Sequence, residues 1–141
     1  MAISRADKIT ELSKKQDFFS DFFTDFETHP ITNNLARVTN DQSVKQSIRN
    51  LILTNRGERF FEPNIGSDIL RAMFEPNDIL TANDLQRYIE YTIKFCEPRA
   101  KLMQVSVTPS LDGNEFVVTI LFSIINNPVP ISLDVILKRV R

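Results

Sequence analysis

Glu97, Pro98 and Arg99 are the residues whose types and spacing most invite chemistry. A carboxylate that closes a helix meets the negative end of the helix dipole, at a cost of a few tenths to about 1 kcal/mol, so something must offset it. Pro98 drives Glu97 out of helical geometry. In extended backbone Glu97 and Arg99 then project to one side, near enough for a single ionic or bidentate hydrogen-bonded site. Two roles are open to such a pair and both can hold: a salt bridge that fixes a helix-to-strand corner, and a group that binds a partner.

Other chemistries are restricted by composition. The 141 residues suit one domain, with 42% hydrophobic residues to build its core. Lys and Arg number 17 against 18 Asp and Glu, a net charge of −1, which offers no general basic field for nucleic acid. Three glycines, Gly57, Gly66 and Gly113, supply neither a Walker loop nor the clustered glycines of a dinucleotide fold. One cysteine and one histidine exclude an internal disulfide and a Cys/His zinc cluster, so no metal and no cofactor is expected. His29, beside Pro30, reads as a loop histidine without chemistry. The longest apolar run, residues 116–125, is half a membrane helix, and the amino terminus has no apolar signal segment. The product is expected in the cytoplasm or inside a larger particle, with no membrane partner.

The elements that position the Glu97 corner are legible from periodicity. Val44, Ile48, Leu51 and Ile52 form one helical stripe that Asn40 or Asp41 can cap. Gly57, Pro63 and Gly66 mark turns, with a short edge strand over Arg59–Phe61 between them. Ser67 is placed to cap a short helix that buries Ile69, Leu70, Met73 and Phe74. A third helix, capped by Thr81, carries Leu85, Tyr88, Ile89, Thr92, Ile93 and an inward Cys96. Strands follow: Met103, Val105 and Val107 alternate with polar residues, Asp112-Gly113 turns the chain, and residues 116–125 form the central strand. After a turn at Asn126-Asn127-Pro128, Ile131, Leu133, Val135 and Leu137 alternate toward Lys138 and Arg139. The fold expected is α+β: three amphipathic helices, then a three-stranded antiparallel meander.

Residues 1–40 read as a separate amino-terminal extension to a domain over 41–141. Its Asp17–Glu27 run, DFFSDFFTDFE, holds five of the eleven Phe residues. Phe18, Phe22 and Phe26 share one side either of a helix or of an extended arm. They suit packing on the chain's own core or docking on a partner.

From residue 38 onward the sequence resembles the contractile-tail baseplate wedge proteins that initiate the sheath, a family that includes a type VI secretion baseplate component. The resemblance rests on VKQSIRNLILT (44–54), RGERFFEP (56–63) with Gly66, LRAMFEP (70–76), and Glu97-Pro98-Arg99, in that order and spacing. It implies a virion structural protein, assembled in the host cytoplasm, whose terminal sheet is like the handshake fold of sheath subunits. Its implied partners are wedge core-bundle proteins, tail sheath subunits and other baseplate proteins. The implied contacts are the Glu97, Pro98 and Arg99 corner for the wedge and the final strand for the sheath. The Phe-rich arm looks like the extension of phage members, which favours a virion over a secretion machine.

The family also carries a lysozyme-like heading, so a peptidoglycan glycosidase is the enzymatic alternative. That reaction needs two carboxyls about 5–9.5 Å apart, one with a raised pKa. Of Glu58, Glu62, Glu90 and Glu97, the last is two residues from Arg99 and the first lies between Arg56 and Arg59. Both neighbourhoods favour the ionised form and spoil a general acid. No Trp and only two Tyr leave no evident sugar platform, and no catalytic residue is expected.

Overall fold

A computed structural model describes residues 18–110 and 114–138 of the chain. Its elements run β1 (Ser20–Phe22), β2 (Arg37–Thr39), α1 (Asn40–Leu53), α2 (Ile69–Ala72), α3 (Ile79–Cys96), β3 (Ala100–Pro109), β4 (Glu115–Ile124) and β5 (Asn127–Lys138). The last three form an antiparallel sheet in the order β3-β4-β5, and β1 and β2 form a separate hairpin. Helices cover one face of the sheet, with α3 along β3 and α1 touching β5. The core between the layers joins Val44, Ile48 and Ile52 of α1 and Leu85, Ile89 and Ile93 of α3 to Val118, Ile120 and Phe122 of β4. Met103, Val117 and Ile136 stay exposed on the sheet.

Helix α1 buries the expected stripe, but its start differs. Thr39 occupies the cap position with no side-chain bond. Asn40 is left-handed at φ 50°, and its Oδ1 accepts hydrogen bonds from the backbone N–H groups of Phe18 (2.9 Å) and Phe19 (3.5 Å). The side chain expected to cap a helix ties down the preceding arm instead. Within the Phe-rich run Ser20–Phe22 is a strand, not a helix: Ser20, Asp21 and Phe22 pair with Thr39, Val38 and Arg37.

Arg59–Phe61 forms no strand. The segment from Thr54 to Ser67 closes on itself, with Gly57 N–H donating to Pro63 O (2.8 Å) and Ser67 N–H to Thr54 O (2.8 Å). With its hydrogen bonds made inside the loop, the backbone leaves Phe60 and Phe61 fully outside. Ser67 does not cap α2 either, because its hydroxyl donates to Ile52 O (2.8 Å) and so ties the loop to α1. In a helix of four residues the inward positions are Ile69, Ala72 and then Met73, which turns Leu70 and Phe74 outward.

Helix α3 begins earlier than Thr81: Asp78 is its cap, accepting from Thr81 N–H at 2.8 Å, and Thr81 itself is buried. Those backbone and side-chain bonds hold the Asp78 carboxyl below its ordinary pKa. Cys96 lies at the margin of the core, half-buried, and Tyr88 is exposed.

In β3 the alternation expected from Met103 breaks at a bulge. Leu102 pairs with Phe122, whereas Gln104 pairs with Leu121. The extra residue, Met103, is thrown outward and Leu102 takes the inward place. Strand β4 is central as expected. The turn that follows is Ile125–Asn126, and β5 starts at Asn127, ahead of Ile131. It therefore contains Pro128 and Pro130, which an edge strand tolerates. Asp112, Gly113 and Arg139 lie outside the described residues.

Candidate functional site

The corner between α3 and β3 assembles the expected pair. Glu97 leaves helical geometry at φ −125°, ψ 78°. Arg99 Nε donates to Glu97 Oε1 at 2.7 Å and Nη2 to Oε2 at 2.9 Å, a bidentate fork. Glu97 is only 3% exposed, and the Ser47 hydroxyl of α1 also donates to its Oε2. Arg99 thus supplies the charge that the helix end withholds. The corner is not the extended segment expected: Pro98 and Arg99 form a turn closed by Ala100 N–H donating to Glu97 O at 3.2 Å, and Arg99 O accepts from Ile125 N–H at 3.2 Å, which anchors the corner to the β4–β5 turn.

Three further groups complete the site, and sequence reading missed them. Asp21 of β1 receives Arg99 Nη1 at 3.3 Å and the Ser43 hydroxyl at 2.5 Å. The Arg99 guanidinium also lies over the Phe19 ring, 5.6 Å from its centroid. The signal that could have found them is period two: in an extended arm Phe19 and Asp21 share a side, opposite Ser20 and Phe22. The expected aromatic trio does not come together here. Phe18, Phe22 and Phe26 are 55%, 48% and 68% exposed, and Phe19 is the arm residue that packs on the core.

The other expected positions sort by burial. Val135 and Leu137 are buried in the chain's own core, with Ile131 and Leu133 packed at its margin. Their side chains hold the strand in place, and what β5 leaves open is backbone, because among the described residues it pairs with β4 alone. Lys138 is exposed and faces Glu115 at 3.6 Å. Gly57, Pro63 and Gly66 shape the loop beside the corner.

The electrostatics follow from this geometry. Burial pushes the Glu97 pKa up, but hydrogen bonds from Arg99 and Ser47 and the Arg99 charge outweigh it, so the carboxyl sits below its ordinary value. The hydrogen bonds that Arg99 donates to Glu97 in turn raise the Arg99 pKa, against its own burial. A depressed carboxylate contributes stability that is present above the unfolded-state pKa, about 4.3, and is lost as pH falls through the folded-state value. The wild-type chain should therefore lose stability below about pH 5, and Glu97→Gln should flatten that decline, leaving the part due to Asp78. Urea midpoints measured from neutral to acid pH would show it; parallel curves for the two proteins would refute the assignment.

A carboxylate held ionised by a guanidinium cannot act as a general acid. Glu58 and Glu90 are also engaged, the first accepting from Asn55 N–H at 2.9 Å and the second from Gln86 Nε2 at 3.0 Å. Among the described residues no group of three or more His, Cys, Asp or Glu is placed to hold a metal, and no helix is long and apolar enough to cross a membrane. The hydrogen bonds of the corner join α1, α3, β1 and β3.

Comparison with known proteins agrees with this character. The chain is 38% identical over 87 residues to the baseplate wedge protein gp25 of Enterobacteria phage T4, a match covering 62% of this chain and just under two thirds, 66%, of that protein. Its fold is similar to a Geobacter sulfurreducens crystal structure provisionally assigned as a tail lysozyme, with a TM-score of 0.66 and 21% identity over 72% of this chain and 92% of that one. It is also similar to a chain of the anti-feeding prophage baseplate, with a TM-score of 0.61 and 20% identity over 87% and 88% of the two chains. A chain of the type VI secretion baseplate complex gives a TM-score of 0.50 and 16% identity over 70% and 93%. Residues 38–129, from β2 through the Glu97 corner to the start of β5, match the baseplate wedge protein gp25 family. The chain belongs to that family, and is a baseplate wedge protein of a contractile phage tail, located in the virion.

Proposed function

We propose that this chain is a non-catalytic wedge subunit that binds the wedge core bundle through its Glu97-Pro98-Arg99 corner and templates the first ring of sheath by strand addition to β5. The observation that carries the reading is the open edge of β5: in a three-stranded sheet its outer backbone groups have no strand beside them among the described residues. Such an edge is a ready template for an arm of another chain. Ile131, Leu133, Val135 and Leu137 hold that template, and Lys138 lies at its end for contact with sheath. Phe18, Phe22 and Phe26 offer an apolar surface on the arm for neighbouring baseplate proteins. Residues 1–40 act as a docking extension and 41–141 as the wedge domain.

The test is electron microscopy of tails from a producing host that lacks this chain. Stalled wedges, or baseplates with naked tubes, are the expected products and identify the step. Normal sheathed tails with a defect confined to infection would overturn the assembly role and reopen the hydrolase reading.

A further inference from the structure

Between the outer face of α1 and the arm lies a groove of about 460 Å³ that reaches Leu133 of β5. Phe23, Leu53 and Leu133 form its apolar part, and Lys45 and Arg49 stand along it with Asp25 as the opposing charge. Lys45 and Arg49 are one helical turn apart and so side by side on α1. Among the described residues neither takes part in an ion pair. Adjacent like charges repel, and with Asp25 as the one acidic residue of the lining the groove keeps a net positive charge beside its apolar floor.

The groove is continuous with the open edge of the sheet. Helix α1 touches β5, and Leu133 packs at the margin of the core on the helix-covered face. A strand added to β5 would lie about 4.8 Å beyond it, with alternate side chains pointing to that same face. Those side chains enter the groove. We infer that the segment which adds to β5 is acidic on its inward side, placing carboxylates against Lys45 and Arg49 and an apolar side chain against Phe23 and Leu53. This rests on the reading of β5 as a strand-accepting edge. The partner is then an extended segment of another chain in which acidic and apolar residues share alternate positions. A basic segment is rejected by the same two cations, which gives the edge selectivity that backbone pairing alone lacks.

The inference is tested by fluorescence anisotropy with the full chain and three short labelled peptides, in which Thr alternates with Glu and Leu, with Gln and Leu, or with Lys and Leu. The Glu peptide should bind about fivefold more tightly than the Gln peptide at low salt, and the Lys peptide most weakly. High salt should shrink the difference. The Lys45→Glu/Arg49→Glu variant should reverse the order, and Lys45→Gln/Arg49→Gln, which keeps the surface polar, should abolish the preference. Equal affinity of all three peptides for the wild-type chain overturns the charge selection and leaves the edge reading standing. Failure of every peptide to bind removes both. Tighter binding of a DNA oligonucleotide than of the Glu peptide also overturns it, since the cations would then be reading phosphate.

Discussion

Arg99→Ala is expected to lower the unfolding free energy by about 3 kcal/mol, the usual cost of removing one partner of a buried ion pair. The reason lies in what remains. Glu97, 3% exposed in the intact corner, would keep the Ser47 hydroxyl as its surviving side-chain partner, and the helix dipole would again oppose it. Asp21 would lose its bond to Arg99, and Phe19 the cation above its ring. The pH dependence separates this mechanism from simple loss of packing. Without Arg99, burial remains the largest influence on Glu97 and the main groups that oppose it are gone, so its folded pKa moves up. A raised carboxyl contributes stability below the unfolded pKa and loses it as pH rises, so the defect should be smallest in acid and largest near neutrality. Replacing both residues together, Glu97→Met with Arg99→Met, should recover part of the loss, because no uncompensated charge is left buried. Urea denaturation of the three variants at acid and neutral pH would decide it. A defect that is independent of pH, or a double variant worse than Arg99→Ala, would sink the account. A loss of this size leaves an ordinary domain folded, so incorporation of the Arg99→Ala protein into baseplates can be scored separately as a test of wedge binding.

The same corner shows why part of the site was legible in the sequence and part was not. Glu97 and Arg99 are two residues apart with a proline between them, so their pairing follows from local backbone geometry alone. Asp21 reaches Arg99 across 78 residues, and the period-two pattern of the arm puts Asp21 and Phe19 on one side without naming the residue they meet. Long amphipathic helices were equally readable, because the stripes Val44–Ile48–Leu51–Ile52 and Leu85–Ile89–Ile93 repeat over several turns. Their ends were not. Asn40, Ser67 and Thr81 are all chemically able to cap, but Asn40 holds the arm, Ser67 ties the loop to α1, and Thr81 donates its N–H to Asp78. The choice among hydrogen-bond partners was made by tertiary placement. The bulge at Met103 is a similar case, since shifting the inward parity to Leu102 is decided by pairing with Phe122. For Phe60 and Phe61, aromatic character suggested a strand, yet the loop's own backbone bonds leave them no neighbour.

Gly66→Ala is the second change with a large expected effect, because two independent penalties fall on one carbon. Gly66 sits at φ +127°, a conformation that side-chain-bearing residues rarely adopt, and holding one there costs on the order of 1–3 kcal/mol. An added Cβ would also meet Thr54 O at 2.7 Å and the carbonyl carbon and oxygen of Asn55 at 2.8 Å. Those atoms are backbone and cannot rotate aside. They belong to the segment where Ser67 N–H donates to Thr54 O and the Asn55–Ser67 bridge forms, so relief of the clash means opening the loop that joins α1 to α2. A total of about 3 kcal/mol or more is expected, with loss of the Ser67 bond to Ile52 as its structural consequence. Gly57 provides the control within the same loop. It is also left-handed, at φ +86°, but a Cβ there meets nothing within 4 Å, so Gly57→Ala carries the conformational penalty alone, about 1 kcal/mol. Thermal and urea unfolding of the two variants side by side measures the difference, which isolates the steric part. Equal losses would show that the close approach of Gly66 to Thr54 and Asn55 does not constrain the folded loop.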